Sequence, residues 1–227
     1  MTDFAKNSIH MLACEYNLRY NDIRLACYDA GKKGVNALLL MPKQIPTAKA
    51  ESGRVKLIAA CAYPAGCQPL VSKECEIHEA VELGADEIYL IPTSGFVLDD
   101  QWDLVEAELR GCKEAAGNAP ITLMLERQVF DEVHAEKLCK LTVSCGYQGI
   151  ATSAGFSHNS IFSVTDPLAL ATLVRTTEPE VVKEIRSWVG DEVKIVAVDA
   201  LLDAEKAEAL LNAGADYIAA PTILDLL

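Results

Sequence analysis

Residues 149–156 hold the densest set of groups able to meet a ligand. Gly149-Ile150-Ala151 is a short apolar run that opens into Thr152-Ser153-Ala154-Gly155-Phe156. A buried strand ending in small hydroxyl residues and Gly can bring backbone N–H groups close to an anion. Three other groups fall at or near the ends of apolar runs. Glu126 follows Ile121–Leu125, Asp199 follows Lys194–Val198, and Lys194 opens that last run. Two carboxylates across one opening could act as acid and base or hold a divalent cation. An amine whose pKa is lowered by burial or by a neighbouring cation can attack a carbonyl. His158 lies in a polar loop, 157–160, within reach of the same end if that loop folds over it.

The elements that must carry these groups alternate regularly. Short apolar runs at 12–14, 36–40, 55–61, 87–91, 121–125, 149–151, 194–198 and 217–220 read as strands buried on both faces. Between them, segments with helical spacing run over about 21–31, 45–51, 72–83, 99–116, 133–145, 177–189 and 203–213. Strand–helix alternation implies parallel strands with helical crossovers. Eight units within 227 residues predict an α/β fold, a closed (β/α)8 TIM barrel in a single domain over 1–227. A doubly wound open sheet is the competing arrangement, but no Gly-x-Gly-x-x-Gly follows the first strand. Residues 157–177 form the longest irregular stretch, with a short helix at 168–174.

The net charge is −13, from 20 Lys and Arg against 33 Asp and Glu. That field repels phosphate backbones and anionic lipid, so neither nucleic acid nor a membrane surface is an expected partner. No run of about 18 apolar residues occurs, and residues 1–11 lack a signal-peptide pattern. The expected setting is the cytoplasm. The eight Cys contain no Cys-x-x-Cys pair and sit mostly in apolar segments, as reduced core thiols do. Cys61, Cys67, Cys75 and His78 match no zinc spacing, and neither a metal nor a cofactor is expected.

The stretch 146–156 resembles the signature of the deoxyribose-phosphate aldolases, which form a Schiff base with their substrate. In that family the frame reads Asp-Phe-Val-Lys-Thr-Ser-Thr-Gly-Phe. Thr152, Ser153, Gly155 and Phe156 match it, and the Lys that forms the Schiff base is Ala151 here. Other pieces follow suit. Tyr63-Pro64-Ala65-Gly66 is similar to a Phe-Pro-x-Gly turn, and Gly84-Ala85-Asp86-Glu87-Ile88-Tyr89 is similar to Gly-Ala-Asp-Glu-Ile-Asp. In the second, Tyr89 stands where the family has an acid/base Asp. The resemblance spans about residues 12–224 and implies a TIM barrel taking a small carbonyl or sugar-phosphate ligand, with a homo-oligomer possible. It also implies a second Lys in strand seven, which falls on Lys194 or on Val196 depending on how the strand is aligned. Phosphate contacts are implied at Gly155, at a Gly-Gly that here falls in 197–200, and at a Ser pair replaced by Pro221-Thr222; because the family usually crosses the 157–177 region in a shorter loop, the resemblance also implies an inserted lid or an oligomer contact there.

The candidate site is therefore Lys194, Tyr89, Glu126 and Asp199 for chemistry, with Thr152, Ser153, Gly155 and Thr222 for ligand. Three functions compete: a divergent carbon–carbon lyase working through Lys194 or a relocated group, a catalytically silent relative that binds a metabolite or partner, and a metal-assisted enzyme built on Glu126 and Asp199.

Overall fold

A computed structural model describes residues 9–14, 17–155, 176–200 and 202–221. Eight strands, β1 (Ile9–Ala13), β2 (Ala37–Leu40), β3 (Lys56–Cys61), β4 (Glu87–Leu90), β5 (Ile121–Met124), β6 (Gly149–Ala151), β7 (Lys194–Val198) and β8 (Tyr217–Ala220), close into one barrel in sequence order. Every neighbouring pair is parallel, including the β1–β8 closure. The (β/α)8 expectation holds.

The helices are α1 (Tyr20–Lys33), α2 (Ile45–Lys49), α3 (Leu70–Glu82), α4 (Ser94–Leu98), α5 (Trp102–Ala116), α6 (Glu132–Ser144), α7 (Pro179–Val189) and α8 (Ala204–Asn212). Two boundaries depart from the expected ones for local reasons. Helix α1 continues past Gly31 to a cap at Gly34, which adopts φ 76°. The Gly nearest the end of the apolar stripe was not the one that left the right-handed region. The helix expected from about residue 99 opens only at Trp102, because Asp100 turns at φ 55° between it and a short helix, α4, that was not expected. The segment expected as a lid or contact, 157–177, lies outside the described residues except for Thr176 and Thr177.

Side chains alternate along each strand. One set, including Leu38, Leu40, Leu57, Ile88, Leu123 and Ile195, packs outward under the helices. The other fills the barrel: Leu12, Leu39, Ile58, Tyr89, Met124, Ala151, Val196 and Val198 belong to it. Toward its amino end the filling turns polar. The Tyr89 hydroxyl lies 3.1 Å from His10 Nδ1, and the His10 ring stacks on Tyr217 at 4.4 Å.

Burial, with the Lys56 charge adding to it, lowers the pKa of His10 to about 3, so the folded chain holds it neutral. The unfolded chain binds a proton there at about pH 6.5. Between those values the unfolded state holds more protons, so stability is full above pH 6.5 and falls as the medium is acidified. The expected slope from this residue is about 1.4 kcal/mol per pH unit, or about 2 kcal/mol lost at pH 5. Urea titrations of the wild type and His10→Asn between pH 7 and 4.5 check it. Parallel curves would show that His10 takes up a proton inside the fold.

Candidate functional site at the carboxyl ends of strands five to seven

Ala151 ends β6 and is fully buried, paired in register with Met124 on one side and Val196 on the other. Lys194 pairs with Gly149, two residues nearer the amino end. Its amine is 2.9 Å from the Asp216 carboxylate, and its side chain is 55% exposed. Asp216 raises the Lys194 pKa, the opposite of what a Schiff-base nucleophile requires. Lys194 thus sits at the amino-terminal rim, away from the site, and the register sets Val196, not Lys194, beside Ala151. Ala151, at the Schiff-base position of the resemblance, and Val196, one of the two positions on which its second Lys could fall, are both apolar.

Tyr89 points into the barrel but toward His10, and burial drives its pKa well above 10. It is a hydrogen-bonding hydroxyl rather than a base at neutral pH.

The carboxyl end of β5–β7 is closely wired. The Thr177 hydroxyl donates to Val198 O at 2.6 Å, so the Thr152 hydroxyl, 2.7 Å away, must donate to Thr177 while accepting from Val198 N–H at 3.0 Å. Thr152 therefore tapes β6 to β7, and its one hydroxyl donor is taken. Asp199 is fully buried and accepts from Thr177 N–H and from the Lys206 amine, both at 2.8 Å. Burial works to lower the Lys206 pKa, but the carboxylates of Asp199 and Glu178 outweigh it and the pKa is raised.

Glu126 is 1% exposed and holds φ 52°, a region that non-Gly residues seldom occupy. In that conformation its carboxylate accepts the Ala154 N–H. Ser153 Oγ accepts the Gly155 N–H at 2.9 Å. Gly155 itself takes φ 76°, and a Cβ there would come 3.1 Å from Leu12. Arg127 grips Glu184 of α7 with two hydrogen bonds of 2.7 and 2.8 Å, fixing the turn that carries Glu126.

The structure thus brings Thr152, Ser153, Gly155, Glu126 and Asp199 together, leaves Tyr89 inside the barrel and puts Lys194 at the far rim. Thr222 and His158 lie outside the described residues. Among the described residues no three His, Cys, Asp or Glu side chains converge to hold a metal, and no helix is long and apolar enough to cross a membrane. Thr177 and Lys206 escaped the sequence reading. The Ala-Glu-Lys run opening α8 carries no local sign that its Lys reaches back to a strand end.

Hydroxyls, carboxylates and glycine gather where the parallel strands of this (β/α)8 barrel end, the end at which barrel enzymes place their chemistry. Its relatives are more particular: over most of its length the chain is similar to deoxyribose-phosphate aldolases. It is 25% identical over 209 residues to a deoxyribose-phosphate aldolase of Clostridioides difficile, covering 92% of this chain and 88% of that one. It is 28% identical over 204 residues to that of Methanothermobacter thermautotrophicus, covering 89% and 84%. Identity reaches 29% over 169 residues with deoxyribose-phosphate aldolase 1 of Vibrio vulnificus, covering 74% and 70%. No protein-family model matches the chain. Among solved structures, the aldolase QR15 superposes with a TM-score of 0.86 at 23% identity, covering 100% of this chain and 95% of that one. The tetrameric deoxyribose-phosphate aldolase of Aeropyrum pernix gives 0.80 at 21%, covering 99% and 89%. At these identities the two structures speak for the fold.

Proposed function

We propose that this chain is a deoxyribose-phosphate aldolase-like protein that takes a small carbonyl or sugar ligand at the carboxyl end of its barrel without forming a Schiff base on strand six. The observation that carries the reading is Ala151, buried between Met124 and Val196 where the resemblance asks for an amine. A carbon–carbon lyase of the usual kind needs that amine to form the iminium, which accepts the electron pair of the breaking carbon–carbon bond. The reading of Lys194 as a substitute has no support from its salt bridge and its position. The metal-assisted reading through Glu126 and Asp199 is also the weaker one, since each carboxylate already accepts hydrogen bonds from the chain. The tetrameric neighbour favours a homo-oligomer, and the composition favours a cytoplasmic setting.

Borohydride reduction in the presence of acetaldehyde tests the reading, with peptide mapping of every lysine. The expected result is no saturable adduct, with only the slow, unsaturable alkylation that exposed amines give. A saturable adduct on Lys206 or another lysine of the carboxyl end would restore a Schiff-base lyase through a relocated amine.

A further inference from the structure

At the amino-terminal mouth of the barrel the strands carry polar side chains on their inward faces. His10, Lys56, Glu87 and Tyr217 each lie two residues before Leu12, Ile58, Tyr89 and Ala219, which fill the interior, so they share those faces. All four line one cavity of about 980 Å³, together with Lys32 near the end of α1 and the turn 51–55 that carries Arg54. This rim of a barrel ordinarily serves stability, and most of its cations are paired: Arg24 with Glu51, Lys49 with Asp86, and Arg186 and Lys194 with Asp216. Lys32, Arg54 and Lys56 are the exceptions. Among the described residues none of the three stands at salt-bridge distance from a carboxylate. The two carboxylates that line the cavity are engaged elsewhere. Glu51 holds Arg24 at 2.8 Å. Glu87 accepts the Thr122 hydroxyl at 2.8 Å, and burial raises its pKa against that bond and the Lys56 charge. Residues 1–8, which precede β1, bring one Asp and one Lys, so their side-chain charges cancel.

We propose that this mouth is a second ligand site, which takes a small phosphate-bearing molecule with its anion held by Arg54 and Lys56. The planar fork of Arg54 suits phosphate oxygens, and Lys56 supplies a compact charge on the inward face. Lys32 contributes less, because it also offsets the partial negative charge at the carbonyl end of α1. The Asn36 side-chain oxygen takes the Ile9 N–H at 2.8 Å, which leaves its NH2 group as the end that donates to a ligand. The His10 ring, stacked on Tyr217, lines the same space and reports on it. The volume is that of a small-molecule site. A local cluster of unpaired cations is what lets an anion approach a chain of net charge −13. The site lies at the opposite end of the barrel from the ligand site proposed above and does not depend on it.

The test is titration of the full chain with pyrophosphate and with inorganic phosphate, ionic strength held constant with sodium chloride. The readouts are the imidazole signals of the histidines and the amide signals of Ala154 and Gly155. The expected result is a saturable shift of His10 by pyrophosphate, half complete at about 1 mM or below, and a weaker one by inorganic phosphate, with His78 and His134 unmoved. Arg54→Gln and Lys56→Gln, both at exposed positions, should each weaken binding by about fivefold or more, and the pair should abolish it. Lys183→Gln removes the same charge from an exposed lysine of α7 outside the cavity and should leave binding unchanged. A shift that does not saturate, or that Lys183→Gln weakens as much as Arg54→Gln does, means diffuse attraction and overturns the site. Saturable binding that moves Ala154 and Gly155 but not His10 puts the anion at the carboxyl end and overturns it as well. No response to either probe also overturns it, and none of these outcomes touches the ligand reading for the carboxyl end.

Discussion

Lys73→Met is expected to cost about 3–5 kcal/mol of folding stability, the range for breaking one side of a buried ion pair. Lys73 on α3 is fully buried, and its amine lies 2.9 Å from the Glu108 carboxylate on α5, whose side chain is 5% exposed. It also donates to Thr93 Oγ at 3.0 Å and to Ile91 O at 3.3 Å. Glu108 in turn accepts the Thr93 N–H at 2.8 Å and the Thr93 hydroxyl at 2.6 Å. The pair holds the chain leaving β4 against two helices. Removal of the amine leaves a carboxylate without its cation in a site that water does not reach. Lys73→Met with Glu108→Gln keeps an acceptor for Thr93 and removes the orphaned charge, so the double variant should be more stable than the single one. Urea unfolding of both checks this. A single variant within about 1 kcal/mol of the wild type would mean that the carboxylate is solvated or protonated in the folded chain.

This pair was legible in the sequence and was passed over. Lys73, Ile77 and Ala80 lie at positions i, i+4 and i+7 of α3, all buried. Val105, Glu108, Leu109 and Cys112 form the buried stripe of α5. A cation on one apolar stripe and a carboxylate on that of a neighbouring helix are a readable sign of a buried pair. The barrel itself was legible because strands buried on both faces leave continuous apolar runs, and Leu38-Leu39-Leu40 and Leu57-Ile58-Ala59-Ala60 need only composition to be seen. What composition does not carry is depth along a strand. Lys194 opens β7 and Val196 follows it on the same face, so alternation alone could not say which one stands beside Ala151. The register did, by pairing Gly149 with Lys194. The internal satisfaction of the Ala154 and Gly155 donors was equally hidden. It depends on Glu126 adopting a left-handed conformation, which residue type argues against.

The two rims of a barrel carry different duties. The amino-terminal rim here is occupied by groups that stabilise: Asp216 holds Lys194 and Arg186, and Asp86 accepts from Leu57 N–H. At the carboxyl rim Ala151 and Val196 are buried apolar side chains, which carry no cost for desolvating a charge.

Ala151→Lys is the second large effect, and it runs in two directions. The new amine enters a fully buried position among Met124, Val196 and Leu12. Overpacking costs about 1–3 kcal/mol, and the charged form is disfavoured by burial. The folded-state pKa of the new lysine should therefore fall about 3–5 units below 10.4. The unfolded chain then binds the extra proton between those two values. The variant is consequently weakest relative to the wild type at neutral or lower pH and recovers as pH rises toward 10.4. The same depressed pKa makes the amine nucleophilic at pH 7. Borohydride with acetaldehyde should leave an N-ethyl group on residue 151 of the variant and nothing saturable on the wild type. Turnover asks for more, because Tyr89 stands where a proton relay is needed and is held by His10. Adding Tyr89→Asp should raise cleavage of 2-deoxyribose over the single variant by about 10²–10⁴, the usual range for a positioned acid/base group. Unfolding curves against pH and mass mapping of residue 151 read the two directions separately. A folded variant that gives no adduct would mean that no carbonyl reaches the end of strand six, and the ligand would have to sit elsewhere.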